Sequence, residues 1–279
     1  MTAPTAIATA RSVSVSFGDR TALDDVTVEV PAGQVVALVG GDGAGKSTLL
    51  RAFVGEVGPD SGSISAPTKH EIGFLSAGPG SWAALTVRQN LDLVGGIYGL
   101  TGDELVDRRE GAIDRAGLRV AADRLASALS GGMRRKLGAA MAMLHRPRLL
   151  VLDEPSTGVD PVSRIDLWRM ISEAAADGAA VVMSTTYLDE AERAGNLVVL
   201  DGGRILTQGS YDEVRTAFTG VITAADVPVR PEWSWRRGRR RHEYWAQGSP
   251  DTDAQTVTPD LEDIVIALSM SRRHEEPAS

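Results

Sequence analysis

The chain has 279 residues, enough for one large domain or two unequal ones. It carries 29 Lys and Arg against 37 Asp and Glu, a net charge of −8, which argues against a general nucleic-acid binder with a basic face. It has no Cys, which excludes disulfides, thiol catalysis and Cys-held zinc, and its four His (His70, His145, His242, His274) lack the close spacing of a helical metal pair.

The start, MTAPTAIATARS, lacks the basic-then-apolar order of a signal peptide, and no run approaches the roughly 20 apolar residues of a membrane span. A cytoplasmic protein is expected, which leaves room for a membrane-bound partner. Short runs of Val, Ile and Leu predict strands at 13–17, 26–30, 35–39, 72–75, 149–153, 180–184 and 197–200. Several are almost continuously apolar, as in strands covered on both faces. The 35–39 run leads into a Gly-rich turn and a helix from Lys46. Over 78–146 the pattern becomes helix after helix: a capping box from Thr86 to Gln89, then helices at 103–116 and 132–144. A helix at 161–176 separates two apolar strands, a βαβ alternation that indicates an α/β core with parallel strands. The 78–146 block reads as a helical subdomain inserted into that core. After about Phe218 the composition shifts, so the chain divides into a main unit at 1–220 and a small C-terminal accessory segment at 221–279. That segment holds a poor element framed by Pro228 and Pro231, a polar stretch at 247–256 and an amphipathic helix at 259–270, with Leu261, Ile264, Val265 and Leu268 on one face.

Gly40, Gly41, Asp42, Gly43, Ala44, Gly45, Lys46 and Ser47 fit GxxxxGK[ST] between a strand and a helix, which is the context the motif requires. Glycines let successive N–H groups turn inward to cradle an anion, and the following helix adds its positive end. Lys46 reaches the β- and γ-phosphates, and the Ser47 hydroxyl can ligate Mg²⁺. The apolar run 149–152 ends in Asp153 and Glu154, a carboxylate for Mg²⁺ and one to polarise an attacking water. Leu129, Ser130, Gly131, Gly132 and Met133 open a further helix with a second anion-binding turn; a plain N-cap is the bland alternative.

Together these motifs resemble the ATP-binding cassette (ABC) proteins over about residues 11–218. The resemblance implies a P-loop NTPase core with a mostly parallel sheet and an antiparallel β edge, binding ATP and Mg²⁺. It implies two cassettes packed head to tail, each ATP lying between the phosphate loop of one and the Leu-Ser-Gly-Gly signature of the other. On that pattern Phe17 stacks on adenine, residues Gly40 to Thr48 hold phosphates, Ser47 and Asp153 hold Mg²⁺, Glu154 acts on water, and Ser130, Gly131 and Gly132 meet the partner's nucleotide. Residues 156–160 resemble the loop that crosses between cassettes, and 78–146 the part that contacts a permease. The runs 158–168 and 184–192, with the 258–263 tail, are similar to the N-terminal cassette of bacterial multidrug exporter ATPases that carry two cassettes in one chain. That implies an exporter subunit on the cytoplasmic face of the membrane, held there by an integral membrane permease.

Two positions depart from the family. Where it usually has a metal-contacting Gln, this chain has Ala77; where it has the His that touches the γ-phosphate, this chain has Thr186. A hydroxyl can donate a hydrogen bond but cannot carry imidazolium charge. One reading is a cassette that tolerates both changes. The other is an asymmetric pair, in which this chain's own site binds ATP but hydrolyses it poorly, while its signature completes the active site of a different cassette with Gln and His in place. A dimerisation module that mainly regulates its partner is the alternative function. A soluble chromosome-maintenance ATPase would need a long heptad insertion before the signature, and none exists. The cluster Trp233, Trp235, Arg236, Arg237, Arg239, Arg240, Arg241, Tyr244 and Trp245 could stack on bases or meet anionic lipid, and reads most simply as a solvated face with Trp packed beneath; no nucleic-acid partner is expected.

Overall fold

The computed structural model describes residues 5–78, 80–246 and 254–275. The first four residues and positions 247–253 of the expected polar stretch lie outside the described residues. Strands β1 (Ala6–Phe17) and β2 (Arg20–Pro31) form an antiparallel hairpin. In β2, Leu23, Val26, Val28 and Val30 point inward while Thr27 and Glu29 face solvent, the period of a half-buried strand. β1 begins well before the predicted position 13. Its first half buries Ala8, Thr9 and Ala10, small or polar residues that give little apolar signal.

β3 (Val35–Val39) is buried along its whole length and feeds the phosphate loop and α1 (Lys46–Phe53). β4 (Ser61–Ser65) pairs with the other side of β1; its polar, largely exposed sequence gave no strand signal. β5 (Ile72–Leu75) leads into the helical block: α2 (Val87–Ile97), α3 (Gly102–Arg115) and α4 (Gly131–Met143). The Thr86–Gln89 box caps α2 as expected, with Gln89 N–H on Thr86 Oγ1 at 3.2 Å and Thr86 N–H on Gln89 Oε1 at 2.9 Å. β6 (Leu149–Leu152), α5 (Pro161–Ala176) and β7 (Ala180–Thr185) form the βαβ unit. After the short α6 (Leu188–Ala191) come β8 (Asn196–Asp201), β9 (Arg204–Gly209) and α7 (Tyr211–Ala217).

The central sheet has the order β5-β6-β7-β3-β8-β9, parallel except for β9. One face, through Val36, Leu38, Val151 and Val182, packs on α1 and the β1–β2–β4 sheet. The other, through Ala37, Val39, Leu150 and Val181, packs on the helical block and α5. Covering both faces explains the continuous apolar runs. It also lines up the carboxyl ends of β3, β6 and β7, the place where open α/β sheets bind ligands.

The C-terminal segment is more ordered than its composition suggested. β10 (Val221–Ala225), β11 (Ser234–Arg237), β12 (Arg240–Trp245) and β13 (Gln255–Val257) make an antiparallel sheet in the order β11-β12-β10-β13. The last helix, α8 (Leu261–Glu275), runs past the predicted end at 270, and its Leu261 and Ile264 join the main core. Trp233 stacks on His274 at 4.0 Å between ring centroids, and Trp245 donates its indole N–H to Thr223 Oγ1 at 3.0 Å. Arg236, Arg239 and Arg240 stay exposed, so the cluster is a solvated rim over packed aromatics. Among the described residues no helix is long and apolar enough to cross a membrane.

Candidate functional site: a phosphate loop over a bonded Asp–Ser cluster

Residues 40–45 wrap tightly between β3 and α1. Gly43 and Gly45 have φ of +77° and +103°, a left-handed backbone that favours glycine. A Cβ on Gly45 would lie 2.6 Å from the Ala22 carbonyl oxygen, so the loop can seat on β2 only without a side chain there. Lys46 is buried at the first turn of α1 and folds back, donating from Nζ to the carbonyls of Gly40 at 2.7 Å and Gly41 at 2.9 Å. The loop floors an open cleft of about 310 Å³, whose lining includes Phe17, Asp42, Gly43, Ala44, Gly45, Lys46, Ser47, Thr48 and Glu154. Phe17, at the end of β1, leaves 56% of its surface exposed on the wall of this cleft.

Behind the loop, strands β6 and β7 and helix α1 bring three hydroxyl and carboxylate groups to one point. Asp153, after β6, is buried; its Oδ1 accepts from Ser47 Oγ at 3.1 Å and from Ser184 Oγ, in β7, at 2.7 Å. Ser184 Oγ in turn accepts the Glu154 N–H at 2.8 Å. Glu154 sits at φ +47°, strained for a side-chain-bearing residue, and its Oε2 accepts from Thr157 Oγ1 at 2.8 Å. Ser47 Oγ and Asp153 Oδ1 are hard oxygen donors a hydrogen bond apart. That fits Mg²⁺, which takes one or two protein oxygens and completes its shell from phosphates and water. Among the described residues no group of three His, Cys, Asp or Glu forms an all-protein metal cage.

The 130–132 turn, expected from sequence as a second anion-binding turn, lies elsewhere. Ser130 caps α4, its Oγ accepting from Met133 N–H at 3.2 Å. Gly131 is exposed; Gly132 is buried, and a Cβ on it would lie 2.9 Å from Ser163 Oγ. Neither glycine nor Ser130 lines the phosphate-loop cleft. Gly131 instead borders a separate cleft with Ala77, Gly78, Arg135, Glu154 and Gly158. Ala77 offers only a methyl group there. Thr186 is exposed just beyond β7 and lines neither cleft.

Residues 23–157 match the ABC transporter family, and the chain is 36% identical over 228 residues to the daunorubicin/doxorubicin resistance ATP-binding protein DrrA of Streptomyces peucetius, covering 77% of this chain and 69% of that one. The chain belongs to the ABC transporter ATP-binding cassettes. It is also 38% identical over 212 residues to the probable multidrug ABC transporter ATP-binding protein YbhF of Escherichia coli. That match takes in 72% of this cassette but spans only 37% of the length of YbhF. Among solved structures, the ATP-binding subunit of an ABC transporter superposes with a TM-score of 0.71 at 30% identity, over 76% of this cassette and 93% of that chain. CbiO1 of Clostridium perfringens, part of the ABC transporter complex cbiONQ, gives 0.69 at 26% identity, over 76% of this cassette and 91% of that chain.

Two residues of the cassette's site were not singled out from sequence. Ser184 could have been, since a polar residue ends an otherwise apolar buried strand. Arg135 carried no signal. It is buried on α4 and donates to five backbone carbonyls: Pro155 at 3.0 Å, Ser76 and Glu154 at 2.8 Å, and those of Gly78 and Asp153. Burial lowers its pKa, while the charges of Asp153 and Glu154 push the other way. This one guanidinium ties α4 to the 76–78 segment and to the Asp153–Glu154 turn.

Proposed function

We propose that the cassette is the ATP-binding subunit of an exporter, holding MgATP between its own phosphate loop and the 130–132 turn of a second cassette. The observation that carries this reading is the bonded cluster of Ser47, Asp153 and Ser184 beneath a glycine loop that holds the buried Lys46 ammonium against its Gly40 and Gly41 carbonyls. The separate position of the 130–132 turn, outside the loop cleft, supports a two-chain site, since a phosphate cradle there would serve a nucleotide held by another chain. In this reading Phe17 covers adenine. The loop N–H groups and Lys46 hold the β- and γ-phosphates, and Ser47 and Asp153 hold Mg²⁺, which neutralises phosphate charge when bound. Glu154 orients the attacking water and accepts its proton, and the Thr186 hydroxyl is the nearest substitute for the missing His. The drug-resistance and multidrug functions in the names of DrrA and YbhF support export of small molecules. The cassette then works at the cytoplasmic face of a membrane through a permease, closing on ATP and opening after hydrolysis.

Ala77 and Thr186 together favour an asymmetric pair, with the partner a different chain bearing Gln and His. Loss of one charge-stabilising contact costs on the order of 10²-fold in rate, so slow turnover in this chain's own site follows. Titration of purified protein with MgATP tests the binding reading. Wild type binds, and Lys46→Ala weakens binding by about 100-fold or more, consistent with loss of a charged phosphate contact. Equal binding by the two would sink the assignment. The regulatory alternative draws on the same two substitutions. It gains if, in the complex purified with its permease, Glu154→Gln leaves ATPase unchanged while Ser130→Arg abolishes it. A stable ATP-hydrolysing homodimer without any partner counts against the asymmetric pair.

A further inference from the structure

The accessory segment reaches the phosphate loop from behind. α8 is fixed at its start: Asp260 Oδ1 accepts the Asp263 N–H at 3.0 Å, Arg237 Nη1 donates to Asp260 and Asp263 at 2.7 and 2.9 Å, and His242 Nδ1 lies 2.8 Å from Asp263 Oδ1. From Leu261 to Arg272 the helix rises about 16 Å at 1.5 Å per residue. At its far end the Arg272 guanidinium donates to the Asp201 carbonyl and lies 3.6 Å from the Asp201 carboxylate. It thereby lies against the β8–β9 turn at Gly202 and Gly203, both left-handed at φ +52° and +82°. A Cβ on Gly202 would collide with that guanidinium.

The turn grips the loop directly. Gly203 N–H donates to the Ala44 carbonyl at 3.1 Å, and the Gly203 carbonyl accepts from Asp24 N–H at 2.9 Å. A Cβ on Gly40 would collide with the Leu200 carbonyl, and one on Gly45 would lie 3.5 Å from Gly203 Cα. The phosphate loop is thus packed against a turn whose other side is held by the last helix.

We propose that Arg272 is a positioning residue for the phosphate loop, and that α8 is a strut through which the C-terminal sheet sets the cassette's affinity for nucleotide. The inference rests on the MgATP reading above. Arg272 touches no nucleotide; it acts by holding the Gly202–Gly203 turn against Ala44, so that the loop N–H groups stay oriented when phosphate arrives. Ordering paid before binding appears as affinity.

The test uses the full chain and two measurements. In nucleotide-free protein, amide hydrogen exchange at Gly203 rises about 10-fold in Arg272→Ala and returns towards wild type in Arg272→Lys, which still donates to the Asp201 carbonyl. In MgATP titration, Arg272→Ala weakens binding about 5–30-fold and Arg272→Lys recovers most of it, the scale of an ordinary coupling energy. Gly202→Asn, whose side chain tolerates a left-handed backbone but displaces the guanidinium, reproduces the Arg272→Ala effect without removing the Arg. Unchanged MgATP affinity in Arg272→Ala, even with a lowered melting temperature, reduces Arg272 to a structural contact and overturns the proposal. Failure of wild type to bind MgATP removes the functional reading instead, and the Gly203 exchange rate then still decides whether the strut exists.

Discussion

Replacing Arg135 by Met should be among the most damaging single changes in the cassette, because its guanidinium bonds five backbone carbonyls. Met keeps the length and packing of the stem but removes all five donors. The carbonyls of Ser76 and Gly78 belong to exposed residues and can turn to water. Those of Asp153 and Pro155 meet Arg135 in buried bonds and cannot. Each orphaned buried acceptor costs about 1–3 kcal/mol. Removing a desolvated guanidinium offsets part of that, since charge burial is itself unfavourable. The balance is a loss of about 2–4 kcal/mol, or roughly 5–15 °C in melting temperature for a protein of this size. Arg135→Lys should fall between, because an ammonium has three donors and no planar fork. Chemical unfolding at neutral pH gives the free-energy differences directly. A loss under about 1 kcal/mol for Arg135→Met, or Lys and Met variants of equal stability, would refute the idea that this guanidinium clamps the 76–78 segment to the Asp153–Glu154 turn.

Two further outcomes are expected. Burial pushes the His145 imidazole, stacked on Tyr98, down to about 4. The unfolded chain therefore takes up a proton near pH 6.5 that the folded chain refuses, so stability is full above that pH and falls as pH drops from 6.5 towards 4. With the ring only partly buried, the loss between pH 7 and 5 should be about 1 kcal/mol, and His145→Phe should remove that increment in paired unfolding curves. Restoring both missing polar groups, Ala77→Gln with Thr186→His, should raise turnover per bound nucleotide about 10–100-fold with little change in MgATP affinity, read from single-turnover hydrolysis.

The motifs legible in the sequence are those whose chemistry is local. The glycines of 40–45 and the Ser130 cap state their own backbone requirements within a few residues, and α5 runs from 161 to 176 as predicted because Asp160 caps it and Pro161 opens it. The continuous apolar strands were readable because both sheet faces are covered. What stayed hidden depends on distant partners. Arg135 is set by carbonyls 18 to 59 residues away, Ser184 by Asp153, and Arg272 by a turn 71 residues before it. The edge strands β4, β9 and β13 are polar and partly exposed, so their pairing comes from neighbours rather than from apolar alternation. Asn90, fully buried in α2, would read as a flaw in that helix. It is satisfied instead by Trp82 N–H and by the carbonyls of Trp82, Leu85 and Thr86.

Residues that could hold a nucleotide and residues that could turn it over depend on the fold in different ways. Lys46 is bonded to the loop carbonyls, and Ser47, Asp153 and Ser184 to one another, so changing any of them disturbs the loop or the cluster behind it. Ala77 and Thr186 stand outside that cluster, and none of its bonds runs through their side chains. On the proposed reading, the absence of a Gln and a His there would remove chemistry without loosening structure. Glu154 sharpens the contrast. Its backbone strain is worth on the order of 1–3 kcal/mol, and it is held by Ser184 on its N–H and Arg135 on its carbonyl. The carboxylate still lines the cleft, so on the proposed asymmetric reading the site would lack two polar contacts and not a scaffold. For that reason the Ala77→Gln, Thr186→His gain should need no compensating change in the backbone. If the double variant binds MgATP normally and still fails to hydrolyse it, the deficit lies in Glu154 or in the partner's signature turn, and the assignment of slow turnover to positions 77 and 186 is wrong.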